Sequence, residues 1–363
     1  MYTPPSSRSS TPSRTSKRNG STGFAVSQTR IDLLESNGIT LEQSSMEENR
    51  WYDLAFSLGL SARCGSRRSN ATNKFVQRMS KRKTISASQT YENIKSFIES
   101  LVLTCPMLSQ QNKCLYRDDA VPTMESFRNT VHRLPTPTPA ISVGYCRDAF
   151  SMAHDELQNG IIAGPEGEPC DLNHISQPVA SHFWPFLVVE ISEQSMLAAR
   201  MASAISAATC NNALSILAAA STDHNSGWSG SPFFFDHKFI KSFSLSIHGK
   251  EMSLGAHSAD GATQHVASQI EIYQLDNEED VAALADRIHG IMVWAHYNRL
   301  AEITSTLDKL DRKVHGGQAG LYVANDGYDF DPHCLKTLQI QAIRRPNRAK
   351  TALRAGFPSW LSR

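Results

Sequence analysis

The sequence predicts an α+β domain in which a central mixed β-sheet is flanked by helices, with basic, disordered ends. Three stretches predict it. His182-Phe-Trp-Pro-Phe-Leu-Val-Val-Glu190-Ile is a short run of β-branched and aromatic residues, the composition of a buried central strand. Met196 to Ala220 follows without Gly or Pro and rich in Ala, which makes it a long helix. Arg200 is its only charge, so other elements have to cover most of its circumference. Phe239 to Ile247, Glu251 to His257 and Val266 to Tyr273 then read as a three-stranded meander, its first turn at His248-Gly249-Lys250.

Taken in order, residues 1–27 hold Ser, Thr, Pro, Arg and Lys with little that is apolar, and read as a disordered tail. Residues 28–60 form a short helical segment, around Ile31-Asp-Leu-Leu-Glu35 and from Met46 to Leu58, suited to docking on the body or binding a protein partner. Residues 61–86 are a basic linker. Up to Lys83 it carries eight Lys/Arg and no acid, ending in Lys81-Arg82-Lys83. Such a run is either a nuclear-import or nucleic-acid-contacting element or a solvated linker, and composition does not choose between them.

The folded domain spans residues 87–312. Ile94, Phe97, Ile98, Leu101 and Val102 recur with helical spacing, so Tyr91 to Leu103 is a helix. Pro122 is placed to open another, Thr123 to Arg133, where its missing N–H costs nothing. Pro135-Thr-Pro-Thr-Pro139 forces an extended entry into a first strand, Ala140 to Tyr145. Arg147 to Leu157 reads as helix and Gly160 to Ser181 as loop. Asn277-Glu-Glu-Asp280 sets acids at the start of a closing helix, favourable to its dipole. That helix runs from Val281 to about Leu310, with Ile288, Ile291, Met292 and Trp294 facing inward. Residues 313–363 are a loose basic tail containing Arg344-Arg345-Pro-Asn-Arg348-Ala-Lys350.

Charge is segregated along the chain. The net charge of +1 hides 14 basic and 6 acidic residues in 1–84, and 7 basic and no acidic residues in 336–363. The body between them holds 15 basic and 29 acidic residues, so a broad nucleic-acid face on it is disfavoured and the flanks are the candidate contact. The N-terminal residues lack the apolar core of a signal peptide, and the seven scattered cysteines form no CxxC pair. The expected compartment is the nucleus, with the cytoplasm as the alternative, rather than secretion. Met196 to Ala220 is long enough to span a bilayer, but Arg200, Asn211, Asn212 and several serines argue against it.

Three constellations fail as sites. Gly227-Trp-Ser-Gly230 misses the nucleophile elbow by one residue and sits in a loop. Asp236-His237 is explained by a surface turn. His289 and His296, two helical turns apart, are too far from each other to share a metal unaided.

Residues 90–312 resemble a large set of uncharacterised fungal proteins whose core looks like the PD-(D/E)xK, restriction-endonuclease-like fold. The similarity rests on Pro139-Ala-Ile-Ser-Val-Gly-Tyr145, Phe183-Trp-Pro-Phe-Leu-Val-Val-Glu190, Ala207-Ala-Thr-Cys-Asn211, Ile270-Glu-Ile-Tyr-Gln274 and the closing helix with Trp294. The resemblance implies metal-assisted phosphodiester hydrolysis, in which two strand-borne acids and often a helical Glu hold Mg²⁺ and a Lys stabilises charge. This chain departs from that pattern. Ala140 stands where the first acid is expected, Lys113 where Asn-Glu is usual, and Ser192 where the Lys belongs; near Ala202 a customary Gln is missing. Only Glu190 remains as candidate catalytic and metal-binding residue, with Asp148 the nearest replacement for the first acid.

One carboxylate cannot retain strongly hydrated Mg²⁺. The expectation is therefore a degenerate, non-catalytic nuclease-like domain serving as scaffold or binding module, without a cofactor. In it Glu190 would accept hydrogen bonds at the start of the following helix. The alternatives are a Mg²⁺-dependent nuclease with a non-standard site around Glu190, and nucleic-acid binding through the flanks at Lys81, Arg82, Lys83, Arg344 and Arg345.

Overall fold

A computed structural model describes residues 29–45, 70–80, 86–122, 133–163, 170–221, 240–260, 264–317 and 319–323. The helices are α1 (29–36), α2 (Asn70–Ser80), α3 (Ala87–Val102), α4 (Met152–Gln158), α5 (Leu172–Ser176), α6 (Met196–Ser221), α7 (Glu278–Trp294) and α8 (Leu300–His315). The strands are β1 (Ile39–Ser45), β2 (Leu108–Asn112), β3 (Ile141–Tyr145), β4 (Gly160–Ala163), β5 (Cys170–Asp171), β6 (Phe183–Ile191), β7 (Ile240–His248), β8 (Glu251–Asp260), β9 (Gln264–Gln274) and β10 (Gly320–Val323). Seven strands form one mixed sheet in the order β1-β9-β8-β7-β6-β3-β2, and β10-β4-β5 form a small second sheet. The fold is α+β, with helices flanking the large sheet.

The sheet is assembled from three kinds of connection. β6 and β7 are parallel neighbours, and α6 lies between them in sequence, the crossover that parallel pairing demands. β7, β8 and β9 are the antiparallel meander expected from their alternation, with Gly249 at φ 58 in the first turn. β6 pairs antiparallel with β3, and β3 with β2.

The two faces of this sheet differ. Val143, Leu187, Val189, Phe243, Leu245, Ile247, Met252 and Leu254 join the main apolar cluster with residues of α2, α3, α7 and α8. Trp294 meets Phe243 and Phe186 edge-on, at centroid distances of 5.3 and 6.4 Å, as its inward placement required. The opposite face is rich in serine and is covered by α6. Sixteen of that helix's 26 residues are buried, against the sheet, α1 and α8. Length and composition alone would let α6 cross a membrane; here its small residues lie on the sheet.

Several boundaries differ from the sequence reading. Within 28–60, only the first short helix is described. It is followed by a strand, because Gly38 turns the chain at φ 72 and Ile39 buries against Leu34 and the Ala204 and Ala208 face of α6. β1 then pairs parallel with β9 at the sheet edge. Residues 46–60 lie outside the described residues, as do 1–27.

The 61–86 linker contains a helix. Phe75, Val76 and Met79 fall on one face of α2 and bury against α3 and α7, while Lys74 and Arg78 point outward. The basic run had masked this amphipathic pattern. Between Gly160 and Ser181, β4, β5 and α5 replace a plain loop. The closing helix is interrupted at Ala295–Arg299 by a π-turn and continues to His315. Gly317 then turns the chain at φ 74 into β10, which pairs with β4, so residues 313–323 are not a loose tail. Residues 123–132, 222–239 and 324–363 lie outside the described residues, and with them the Thr123 helix, Gly227-Trp-Ser-Gly230 and Asp236-His237.

Candidate functional site

Glu190 sits near the end of β6, and pairing places its neighbours. It is the partner of Ser246 on β7, and Ser246 is the partner of Ser253 on β8. On the other side Ile141 pairs with Val189 and Asn112 with Ile141. The ladders extend one residue further through Ala140 N–H to the Val189 carbonyl and Lys113 N–H to the Ala140 carbonyl, both 2.9 Å. Glu190, Ser246 and Ser253 therefore stand in one row across β6, β7 and β8, and Ala140 and Lys113 lie beside its end, Ala140 bonded to the backbone of Val189 and Lys113 to that of Ala140. The sequence positions singled out for metal-holding acids are neighbours in space, and one acid stands among them.

Lys113 adopts φ 49, and its ammonium lies 5.3 Å from the centre of the Tyr91 ring, on α3. Ser192 donates its N–H to the Ile247 carbonyl at 3.0 Å, and its hydroxyl accepts from the Gln194 N–H at 3.1 Å. Asp148 lies in the short turn Arg147–Ala149, past the opposite end of β3 from Ala140, and cannot replace the first acid. His296 bonds to Cys105 rather than joining His289. Among the described residues no group of three His, Cys, Asp or Glu side chains is placed to hold a metal ion.

Glu190 is 8 % exposed. Its Oε1 accepts a 2.6 Å hydrogen bond from Ser206 Oγ, in the third turn of α6. It does not cap the start of that helix, as had been expected: Ser195 does, accepting from the Ala198 N–H at 3.0 Å. The difference follows from geometry, since β6 carries Glu190 under the body of α6 rather than before it. Burial pushes its carboxyl up to about 7 against the opposing pull of the Ser206 bond. A carboxyl held this way is half neutral near pH 7.

Around it lies a layer of small polar groups. Ser203 and Ser246 share a hydrogen bond of 2.8 Å, Ser242 donates to Asn211 Oδ1 at 2.8 Å, and His257 Nε2 bonds Ser244 Oγ at 2.8 Å. Gly255 leaves room for that pair, because a Cβ there would lie 2.7 Å from Ser244 Oγ. A small open pocket lies beside them, lined by Arg200, Ser246, Ser253, His257 and Gln269. Arg200 donates to the Glu42 carbonyl at 2.6 Å, and burial lowers the guanidinium's affinity for its proton. Burial also drives His257 down to about 3, so its ring is neutral.

A second buried relay crosses β2 and β3. Ser109 Oγ lies 2.8 Å from His182 Nδ1, His182 Nε2 lies 2.9 Å from Ser142 Oγ, and Ser142 lies 2.7 Å from the Tyr116 hydroxyl. Desolvation holds His182 down to about 3. Sequence reasoning missed both networks. The one available signal was the spacing Ser242, Ser244, Ser246 on alternate residues of β7, which puts three hydroxyls on one face. Lys81, Arg82, Lys83, Arg344 and Arg345 lie outside the described residues; the neighbouring Lys74 and Arg78 are exposed on α2.

Fold and site together define an α+β domain whose central strand carries a single buried acid under a small-residue helix. Over residues 73–307 the chain matches the family described as domain of unknown function DUF7924, and it belongs to that family. The matched span runs from α2 into α8. None of the curated proteins compared with the chain matches it.

Proposed function

We propose that this domain is a non-catalytic, nuclease-like scaffold, retained as a binding module. The observation that carries the reading is that the backbone bonds of Lys113 and Ala140 bring these two residues to the end of β6 that bears Glu190. A PD-(D/E)xK enzyme would need acids there to hold Mg²⁺, and this chain offers one carboxyl, buried and bonded by Ser206. The reading is tested with the full chain and Mg²⁺ or Mn²⁺ on single- and double-stranded DNA and RNA, beside Glu190→Ala. The expected result is no cleavage above that of the variant. Cleavage lost on Glu190→Ala would overturn it in favour of a metal-dependent nuclease with a non-standard site.

A binding role through the basic flanks accompanies this reading, favoured by Lys74 and Arg78, which extend the Lys81-Arg82-Lys83 run along the exposed face of α2. Removing residues 1–84 is no test of it, because β1 and α2 belong to the folded body. Alanine at Lys81, Arg82, Lys83, Arg344 and Arg345 changes no residue of the described strands and helices. Binding to a labelled oligonucleotide should then weaken, with a shallower salt dependence. Unchanged affinity and salt slope would remove the flanks as the contact, and the same variant, followed by fluorescence in cells, tests their part in nuclear import.

A further inference from the structure

We infer that Cys105, His296 and Cys146 form a peroxide-reactive thiol site, in which His296 takes the proton from Cys105 and Cys146 resolves the oxidised sulfur as a disulfide. Cys105 lies in the turn between α3 and β2, and His296 in the π-turn between α7 and α8. The two are 191 positions apart in sequence, yet Cys105 Sγ and His296 Nδ1 are 3.0 Å apart. Nucleophile and base within hydrogen-bond reach is the arrangement that activates a thiol. The π-turn places the base, and such widened turns recur at functional positions. Its Ala295 carbonyl is tied down by the Tyr145 hydroxyl at 2.8 Å, and His296 stands edge-to-face with Tyr297.

Cys146 directly follows Tyr145 and is pinned to the same turn as Cys105. Its N–H donates to the Met107 carbonyl and its thiol to the Pro106 carbonyl, each at 3.1 Å. Both sulfurs belong to half-buried residues, and Leu103 and Tyr297 nearby are strongly exposed. Cys114 and Cys210 supply an internal contrast. Each is buried, its thiol is pushed up, to about 11 and about 12 respectively, and among the described residues neither thiol hydrogen-bonds an imidazole. Burial raises the Cys105 thiol as well, which suits an S–H that donates to the His296 ring.

The chemistry then balances. As Cys105 sulfur attacks one oxygen of a hydroperoxide, the O–O bond breaks and the thiol proton passes through His296 to the departing oxygen, which leaves as water or alcohol. The product is a sulfenic acid at Cys105. Cys146 sulfur attacks that sulfur, the S–O bond breaks, and water leaves with the Cys146 proton. Two thiols are oxidised to one disulfide and one peroxide is reduced.

The test uses the full chain. After a brief hydrogen peroxide pulse, peptide mapping should recover a Cys105–Cys146 disulfide, and Cys146→Ser should instead leave Cys105 reactive toward a sulfenic-acid probe. Iodoacetamide should alkylate Cys105 at least about tenfold faster than Cys210, and His296→Gln should remove most of that advantage. Cys210 reports unfolding in the same sample. If it opens in His296→Gln, the rate of Cys105 alkylation against pH in the unaltered chain decides, with reactivity expected to persist at pH values where an unassisted thiol is protonated. A Cys105 as slow as Cys210, no Cys105–Cys146 crosslink after peroxide, or a rate that follows only thiol ionisation would each overturn the proposal.

Discussion

The two faces of the central sheet are made by the same strands and do opposite things. On β7, Phe243, Leu245 and Ile247 point into the main apolar cluster, while Ser242, Ser244 and Ser246 point at α6, and all six are buried. One face gains from transfer of large side chains out of water. The other gains little that way. It lets an alanine-rich helix lie close to the sheet and pairs each hydroxyl locally, with Ser203, Asn211 or His257. The difference separates stability from site: the apolar face holds the domain together, and the polar face holds the buried acid Glu190. Substitutions on the two faces should therefore differ in size, sign and pH dependence.

The largest loss belongs to the apolar face. Phe243→Ala removes a fully buried ring that packs edge-on against Trp294 and should cost about 3–5 kcal/mol, read as the shift of a chemical denaturation midpoint at constant slope. A loss no greater than that of a serine variant on the other face would break the comparison.

Glu190→Gln should move stability the other way. The folded-state pKa of Glu190 is raised, from the ordinary 4.5 to about 7. Between these values the folded chain holds a proton that the unfolded chain releases, so the group makes stability fall as pH rises through that window and stay level above it. The amide keeps an acceptor for Ser206 and carries no charge. At pH 8 the variant should be more stable than the natural chain by roughly 3 kcal/mol, and near pH 4 the two should agree. Parallel stability curves from pH 4 to 8 would show that the layer solvates the carboxylate after all.

Gly144→Ala probes the edge between the two networks. A Cβ at Gly144 would lie 2.6 Å from the Phe183 carbonyl and 3.1 Å from the His182 ring. The carbonyl belongs to the backbone of β6 and cannot rotate away, so a cost of about 1–3 kcal/mol is expected in thermal or chemical melting. A neutral effect would mean that β3 and β6 separate easily at that end, where their register already shifts.

How much of this was legible follows the same division. The apolar face announced itself, because Phe183 to Val189 and the β7–β9 alternation are large-residue patterns, and α6 has a composition few other elements share. The polar edge strand β2, with Leu-Ser-Gln-Gln-Asn, has no such pattern, and neither does β1, whose place comes from packing against α6. α2 was hidden by its own basic residues. At the site, Glu190 was visible as the one acid ending an apolar strand, and Ala140 and Lys113 were visible as departures. Ser206 was not, since its pairing depends on how far along α6 the strand passes. The Cys105–His296 pair joins two distant turns through a π-turn that periodicity cannot reveal.

The smallest effect discriminates most finely. Ser206→Ala deletes the one hydrogen bond recorded for the Glu190 carboxyl, a bond that favours its charged form. A neutral acid loses about 1 kcal/mol when such a partner goes, whereas a charged one loses about 1.5–3 kcal/mol. The variant should therefore cost little at pH 4 and more at pH 8, and it should move the Glu190 titration further upward. Combining it with Glu190→Gln removes the charge and should remove the pH dependence of the cost. If Ser206→Ala costs the same at both pH values in the Glu190 background, the hydroxyl serves only packing, and the polar layer does not act as a unit around its acid.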